Sequence, residues 1–122
     1  GGIFFIGVPN GLAFHNRLLG NFGMHPTCSK SISAHVRTFS KNDIFSFYTF
    51  IGEKFCKVDS FFGSQFYPFP KKISRVLANL FPSYATSIFF TVKKTSGYSH
   101  EFLDHVVDAQ LDTNFFLGNK IR

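Results

Sequence analysis

The residues from Ile3 to Val8, IFFIGV, form an uninterrupted apolar run between a Gly-Gly pair and the dipeptide Pro9-Asn10. Consecutive residues without a polar side chain are typical of a strand that is buried on both faces, as in parallel sheets. We therefore predict an interior strand. Such a strand needs neighbours on both sides, and this requirement constrains what the rest of the chain can form.

The next elements follow from helical spacing and turn residues. A short helix is expected at 11–19, and a stretch rich in Gly, Asn, Ser and Pro predicts a long loop to Ala34. Ser40 and Asp43 have the spacing of a capping box and begin a helix that Gly52 ends. The apolar positions of that helix are Ile44, Phe45, Tyr48 and Ile51.

Two more strands and two more helices complete the predicted order. Residues 55–66 alternate imperfectly and predict a strand covered mainly on one face, with Cys56, Val58, Ser60 and Phe62 on one side. A helix that ends at Pro82 carries an amphipathic stripe of Ile73, Val76, Leu77, Leu80 and Phe81. A strand is predicted at 86–94 and a last helix at 100–111.

The order β, loop, α, β, α, β, α favours an α/β layered fold. Three strands are too few to surround an interior strand, so its other neighbours must come from a second chain or from upstream sequence. The abrupt Gly-Gly start favours upstream sequence. We expect the isolated chain to be poorly soluble or oligomeric, because an uncovered apolar strand promotes association.

Composition indicates a folded domain with an aromatic core. The 122 residues include 19 Phe, 4 Tyr and no Trp, and 13 Lys and Arg against 7 Asp and Glu give a net charge of +6. The longest basic clusters are only dipeptides, so no specific nucleic acid partner is expected. Cys28 and Cys56 lack metal-ligand spacing and are predicted to be reduced thiols, which fits a cytoplasmic protein.

Two motifs resemble one enzyme family. Gly-Gly before a strand ending in VPN, followed by HVRTFSKNDIFSF, resembles the C-terminal half of class I, Rossmann-like S-adenosylmethionine-dependent methyltransferases. In that family an H-x-R-x-F-[ST]-x-x-[DE] pattern begins the helix before the sixth strand, and Phe39, Ser40 and Asp43 match it. The segment FYPFPKKISRVLANLFPSYATSIFFTVKK is similar to an insertion and seventh strand of a bacterial subgroup.

The resemblance implies a fold and an activity. The fold would be α/β, a partial Rossmann-like methyltransferase sheet with its last three strands and flanking helices, the seventh strand lying antiparallel between the fifth and sixth. Residues 1–122 would be one partial domain, with 1–95 matching the core and 96–122 forming a helical tail. S-adenosylmethionine would be the cofactor of the full-length enzyme. The glycine-rich loop and acidic strand end that bind it are absent, so the fragment alone is expected to be inactive.

Candidate substrate-side residues follow from position, because ligands of α/β sheets bind at the carboxyl ends of strands. These candidates are Pro9, Asn10, His15, Arg17, His35 and Arg37. An imidazole can accept a proton near neutral pH, and a guanidinium can hold an acidic group of a small-molecule methyl acceptor. The competing interpretation is that His35 and Arg37 only anchor the loop, and that a short helix simply exposes His15 and Arg17.

Other functions remain open at this stage. The chain could be a small basic α/β module that binds nucleic acid or an anionic lipid surface through Lys71, Lys72, Lys93 and Lys94. A peripheral membrane contact is one version of that alternative, and a self-associating structural domain is another. No catalytic residue is assigned, and no histidine has metal-ligand spacing.

Overall fold

A computed structural model of the chain describes residues 1–29, 38–49 and 53–96. The strands are β1 (Ile3–Pro9), β2 (Cys56–Ser64) and β3 (Ser87–Lys94). The helices are α1 (Phe14–Asn21), α2 (Lys41–Thr49) and α3 (Lys71–Leu80), and a single 3-10 turn spans Pro82–Tyr84. The helix predicted at 100–111 lies outside the described residues.

The three strands form one sheet in the order β1-β3-β2, and β3 is antiparallel to both neighbours. The described residues therefore have a small α/β fold with a three-stranded antiparallel sheet. Because β1 and β2 both run opposite to β3, they are parallel to each other and their carboxyl ends lie at the same edge of the sheet.

One face of the sheet, here named the covered face, lies under α2. Ile88, Phe90 and Val92 of β3 are fully buried on it, and Ile44 of α2 completes the cluster. The ring of Phe45 meets that of Phe90 edge-on with centroids 5.8 Å apart. Burial of these side chains is the main apolar contribution to stability.

The opposite face, here named the open face, also carries aromatic rings. Phe89 stacks on Phe5 and on Phe62, with ring centroids 5.5 Å apart in both pairs. Phe89 pairs with Gly7 across the strands, and its ring occupies the space where a Cβ of Gly7 would lie. No helix among the described residues covers this aromatic row, and Phe5 remains 60% exposed.

The prediction that β1 is an interior strand buried on both faces is wrong for the described residues. β1 lies at the edge of the sheet, and Ile3 is 67% exposed. The reason is that β3 pairs with only one side of β1 and α2 covers only one of its faces. The residues of β1 are apolar as the sequence indicates, but the described residues cover at most one of its two faces and pair with one of its two edges.

The alternation predicted for β2 is correct up to Val58 and wrong beyond it. Val58 pairs with Val92 but Ser60 pairs with Thr91, so Asp59 is an extra residue that forms a β-bulge. The bulge exchanges the two faces, and Phe61 rather than Phe62 packs beside Phe90 on the covered face.

The capping box of α2 is confirmed. The Ser40 backbone N–H donates to Asp43 Oδ2 over 2.6 Å, and the Asp43 N–H donates to Ser40 Oγ over 3.3 Å. Ile44 is buried and Phe45 and Tyr48 pack against the core as predicted. Ile51 and Gly52 lie outside the described residues.

Helix α3 packs with a different side from the one its periodicity predicts. Ser74 and Ala78 are buried against a second cluster that contains Phe66 and Ala85. Gly63 of β2 allows the segment after α3 to approach closely, because an added Cβ would lie 2.8 Å from the carbonyl oxygen of Pro82. Small side chains therefore face the sheet, and most of the larger apolar ones do not.

Candidate functional site

The candidate site is the edge of the sheet at which β1 and β2 end and β3 begins, here named the carboxyl edge. Pro9 and Ser64 both pair with Ser87 at this edge. Helix α1, the turn Pro82–Tyr84 and the amino end of α3 lie around it. Sequence position therefore predicted correctly where the loop after β1 would begin.

Asn10 is a structural residue of this edge. Its side chain is 1% exposed, and Nδ2 donates to the carbonyl oxygens of Ser83 and Ala85 over 2.9 and 2.8 Å. Oδ1 accepts the N–H of Leu12 over 3.0 Å. The two Nδ2 bonds join the end of β1 to the segment before β3, and the Oδ1 bond fixes the turn after β1. The buried side chain of Asn10 therefore holds this edge together.

Asn16 continues the network from α1. Its Nδ2 donates to the carbonyl oxygen of Asn10 over 3.0 Å, and its Oδ1 accepts the N–H of Thr27 over 3.0 Å. The Thr27 hydroxyl also donates to Asn16 Oδ1, over 3.2 Å. Asn16 thus connects the loop after α1 to the end of β1.

This network assigns the tautomer of His15. Because the Thr27 hydroxyl proton goes to Asn16, Thr27 Oγ1 accepts from His15 Nε2 over 2.9 Å. The proton of the neutral ring is therefore on Nε2, and Nδ1 is left as an acceptor. Nδ1 is buried and has no hydrogen-bond partner.

His15 is buried, which differs from the expectation that a short helix would expose it. It is 8% exposed, and burial lowers the pKa of its imidazole below the ordinary value of 6.5. The ring is therefore neutral at pH 7. It meets the ring of Tyr67 edge-on with centroids 5.1 Å apart, so its direct effect is to position Tyr67.

Arg17 and Pro9 have structural contacts. Arg17 Nε donates to the carbonyl oxygen of Leu12 over 2.7 Å, and its guanidinium lies 4.3 Å from the centre of the Tyr84 ring. Pro9 is the last residue of β1. His35 and Arg37 lie outside the described residues, so their predicted substrate-side roles stay predictions.

A cleft of about 520 Å³ opens at the carboxyl edge between the end of β2 and α3. Its polar and aromatic lining comprises Gln65, Tyr67, Phe69, Lys71, Arg75 and Asn79. Gln65 has a φ of 62°, in the left-handed region, and its carbonyl oxygen accepts the N–H of Thr86. The Phe66 N–H donates to Ser74 Oγ and joins the cleft floor to α3.

The cleft is suited to an anionic ligand with a flat or apolar part. Lys71 and Arg75 lie four residues apart on α3, and among the described residues that line the cleft there is no carboxylate. Arg75 offers the forked donors that match carboxylate or phosphate oxygens. Tyr67 is 62% exposed and presents its ring to solvent at the same place.

These cleft residues are not selected when the rule that ligands bind at the carboxyl ends of strands is applied to β1 alone. Gln65, Tyr67 and Arg75 follow β2, and the same rule about carboxyl ends, applied to β2, would have pointed to the segment SQFYPFPKK. Phe66 belongs to the core and also lines the cleft, and Phe69 lines the cleft beside it.

The described residues do not fit S-adenosylmethionine by themselves. No glycine-rich strand-to-helix turn and no acidic strand end is found in residues 1–29, 38–49 and 53–96. In the same ranges, no three His, Cys, Asp or Glu side chains gather as a metal site. Cys28 and Cys56 are unpaired and half-buried, and burial raises the pKa of the Cys56 thiol.

The two basic dipeptides do not form one surface. Lys71 and Lys72 begin α3 beside the carboxyl edge, whereas Lys93 and Lys94 end β3 at the opposite end of the sheet. At about 3.4 Å per residue, the length of β3 separates the two ends of the strand by roughly 24 Å.

Comparison with known proteins gave no match: no family model, no curated protein and no solved structure is similar to this chain. Separately, none of the helices within the described part of the chain is long and apolar enough to cross a bilayer.

Proposed function

We propose that this chain is the C-terminal half of a class I S-adenosylmethionine-dependent methyltransferase domain and supplies its acceptor-binding side. The strand order carries the proposal. The resemblance implies a last strand that lies antiparallel between two parallel strands, and β1-β3-β2 has this order and these directions. The capped helix α2 stands before β2, as the motif with Ser40 and Asp43 implies.

The exposed edge and open face of β1 support the same proposal. A strand with Ile3 and Phe5 this exposed is stabilised by a further strand on its free edge and by a layer on its open face. In the proposed enzyme, the strands and helices of the cofactor-binding half supply both. That half also contributes the glycine-rich loop that this chain lacks.

The acceptor would bind in the cleft at the carboxyl edge. S-adenosylmethionine supplies an activated methyl group, so the protein's main task is to hold and orient the nucleophile. Arg75 and Lys71 would hold an anionic group of the acceptor, and the ring of Tyr67 would stack against its flat or apolar part. His15 is a positioning residue for Tyr67.

The test is to read the gene upstream of the codon for Gly1 and to produce the longer chain. We expect about 100 further residues, the rest of a typical domain, with a glycine-rich strand-to-helix turn. Isothermal titration should then show that the longer chain binds S-adenosylmethionine and that the 122-residue chain does not. An upstream frame without that turn, or a longer chain that does not bind the cofactor, would overturn the proposal.

A matched pair of variants in the longer chain separates the cofactor from the acceptor. Arg75→Ala, in the cleft, should leave cofactor binding unchanged and lower methyl transfer to the acceptor. Arg17→Ala is the control, because Arg17 contacts Leu12 and Tyr84 and is not among the cleft residues. Equal loss of transfer in both variants would place the acceptor elsewhere.

A further inference from the structure

Helix α3 presents an apolar surface to solvent. Ile73, Val76 and Leu80 are 51%, 57% and 66% exposed, and Phe81, directly after the helix, is also exposed. The three helical residues have the i, i+3, i+7 spacing of a single stripe. We name this set of four residues the α3 outer surface.

The orientation of α3 is fixed by its opposite side. Ser74 and Ala78, one turn apart, are buried against the second core cluster. The Ser74 hydroxyl accepts the N–H of Phe66, which prevents the helix from rotating its apolar stripe inward. The α3 outer surface is therefore exposed because small residues occupy the packing side.

The charged residues on α3 and next to it in the sequence all have one sign. Between Asp59 and Glu101 the sequence has no acidic residue. Lys71, Lys72 and Arg75 are exposed on α3 itself, and no ion pair of theirs is found within residues 1–29, 38–49 and 53–96. Lys72 lies about 100° around the helix from Ile73 and flanks the apolar stripe, whereas Lys71 and Arg75 lie on the side of α3 that lines the cleft.

We propose that the α3 outer surface binds an anionic membrane surface, with α3 lying in the plane of the lipid headgroups. The apolar stripe enters the boundary between headgroups and acyl chains, Lys72 beside it contacts anionic headgroups, and the other cations of α3 add to the attraction. Long Lys and Arg side chains reach those headgroups while their stems stay on apolar surface. This inference does not depend on the methyltransferase proposal.

The charges favour lipid over a second copy of the chain. Two copies that buried this stripe against each other would bring the Lys72 side chains of both copies to the edge of the same contact. Like charges at a contact oppose association. An anionic bilayer offers both an apolar layer and the opposite charge.

The experiment is vesicle flotation of the 122-residue chain, because aggregated protein sinks and is not counted as bound. We expect the chain to float with vesicles of 70% phosphatidylcholine and 30% phosphatidylserine at low salt, and not with pure phosphatidylcholine. Binding should weaken as salt rises, since headgroup attraction is screened. Equal flotation with both vesicle types, or none at low salt, overturns the proposal.

Variants assign the binding to α3. Val76→Ser and, as a second variant, Leu80→Ser should each weaken binding roughly tenfold by removing apolar insertion. Lys72→Glu should weaken it roughly 30-fold, as two units of charge change near the surface. The matched controls are Phe22→Ser, an exposed apolar residue beyond α1, and Lys93→Glu at the far end of the sheet, and both should bind like the wild type.

Two results would refute the assignment even if vesicles bind. Controls that lose as much binding as the α3 variants would mean that net charge or general hydrophobicity is responsible. A dimer that Val76→Ser dissociates in sedimentation, without flotation of the wild type, would make a second copy the occupant. Circular dichroism of each variant verifies that the fold is kept.

Discussion

The two faces of the sheet have similar side chains and opposite surroundings. On the covered face, Phe90 is fully buried between the rings of Phe45 and Phe61. On the open face, Phe89 stacks between Phe5 and Phe62, and both of those rings remain substantially exposed. Residues 89 and 90 are neighbours on one strand, so composition does not distinguish the faces. A strand can therefore be fully hydrogen-bonded within the sheet while one of its two faces stays uncovered by any other layer of the described structure.

The largest expected effect comes from the covered face. Phe90→Ala should lower the free energy of unfolding by about 3–5 kcal/mol, because it leaves a cavity in the core. Phe89→Ala is the matched variant and should cost roughly 1 kcal/mol, mainly from lost ring stacking. Urea unfolding at low protein concentration measures both. Equal losses would mean that the open face is covered in solution.

Two glycines, one on each face of the sheet, allow the covered face and the open face to be compared by adding a single Cβ to each. Gly63→Ala should cost about 1–3 kcal/mol, because its Cβ would meet the backbone of Pro82 and the side chain of Ala85. Gly7→Ala should cost less than about 1 kcal/mol, since the Phe89 ring it meets can turn toward solvent.

Gly2→Ala is the control for both glycines, because nothing lies within 4 Å of an added Cβ there. In the Gly63→Ala variant, the midpoint temperature of thermal unfolding should be well below those of Gly7→Ala and Gly2→Ala. A Gly7→Ala variant as unstable as Gly63→Ala would show that Phe89 is held by a covering layer.

The pH dependence of stability tests polar burial at the carboxyl edge. The pKa of His15 is lowered by burial, so the unfolded chain binds more protons than the folded chain below pH 6.5. The contribution of the neutral His15 ring to the free energy of unfolding is complete above that pH. It is lost as the pH falls toward the pKa of His15 in the folded chain. His15→Gln should flatten the stability profile in this window, whereas His25→Gln, at an exposed position, should keep the slope of the wild type.

The smallest expected effect on stability belongs to the open face. Phe5→Ser combined with Phe62→Ser should change the free energy of unfolding by roughly 1 kcal/mol, since both rings are already exposed. The same variant should weaken self-association at least about tenfold, because it removes apolar contact area.

Sedimentation velocity measures this association. Phe22→Ser, at a residue 78% exposed outside the sheet, is the control and should associate like the wild type. A wild-type chain that sediments as a clean monomer at high concentration would contradict the prediction.

The sequence predicted elements better than it predicted what covers them. The strands and the capped helix α2 followed from local patterns, because backbone pairing and helix capping are set by residues close together in the sequence. The apolar stripe of α3 was visible, but its periodicity could not show that Ser74 and Ala78 would face β2. That choice depends on Phe66 and Ala85, which lie outside the helix and pack against Ala78, and on the bond from the Phe66 N–H to the Ser74 hydroxyl.

The candidate site was predicted in part for a related reason. Position after β1 located Asn10 and His15 at the carboxyl edge, but not their burial, because the bonds of Asn10 to Ser83 and Ala85 join segments more than 70 residues apart. The cleft likewise depends on the packing of α3 against the end of β2. The residue types of these two segments did not indicate that the segments would pack together.

The bulge at Asp59 makes the length of β2 as important as its composition. Asp59 is the extra residue, so a β2 without it would form a regular ladder in which Phe61 still faces α2. Removing one residue beyond the bulge, such as Phe61 or Phe62, would instead exchange the faces of the residues that follow it. Related chains are therefore expected to lack residue 59 more readily than a later residue of β2.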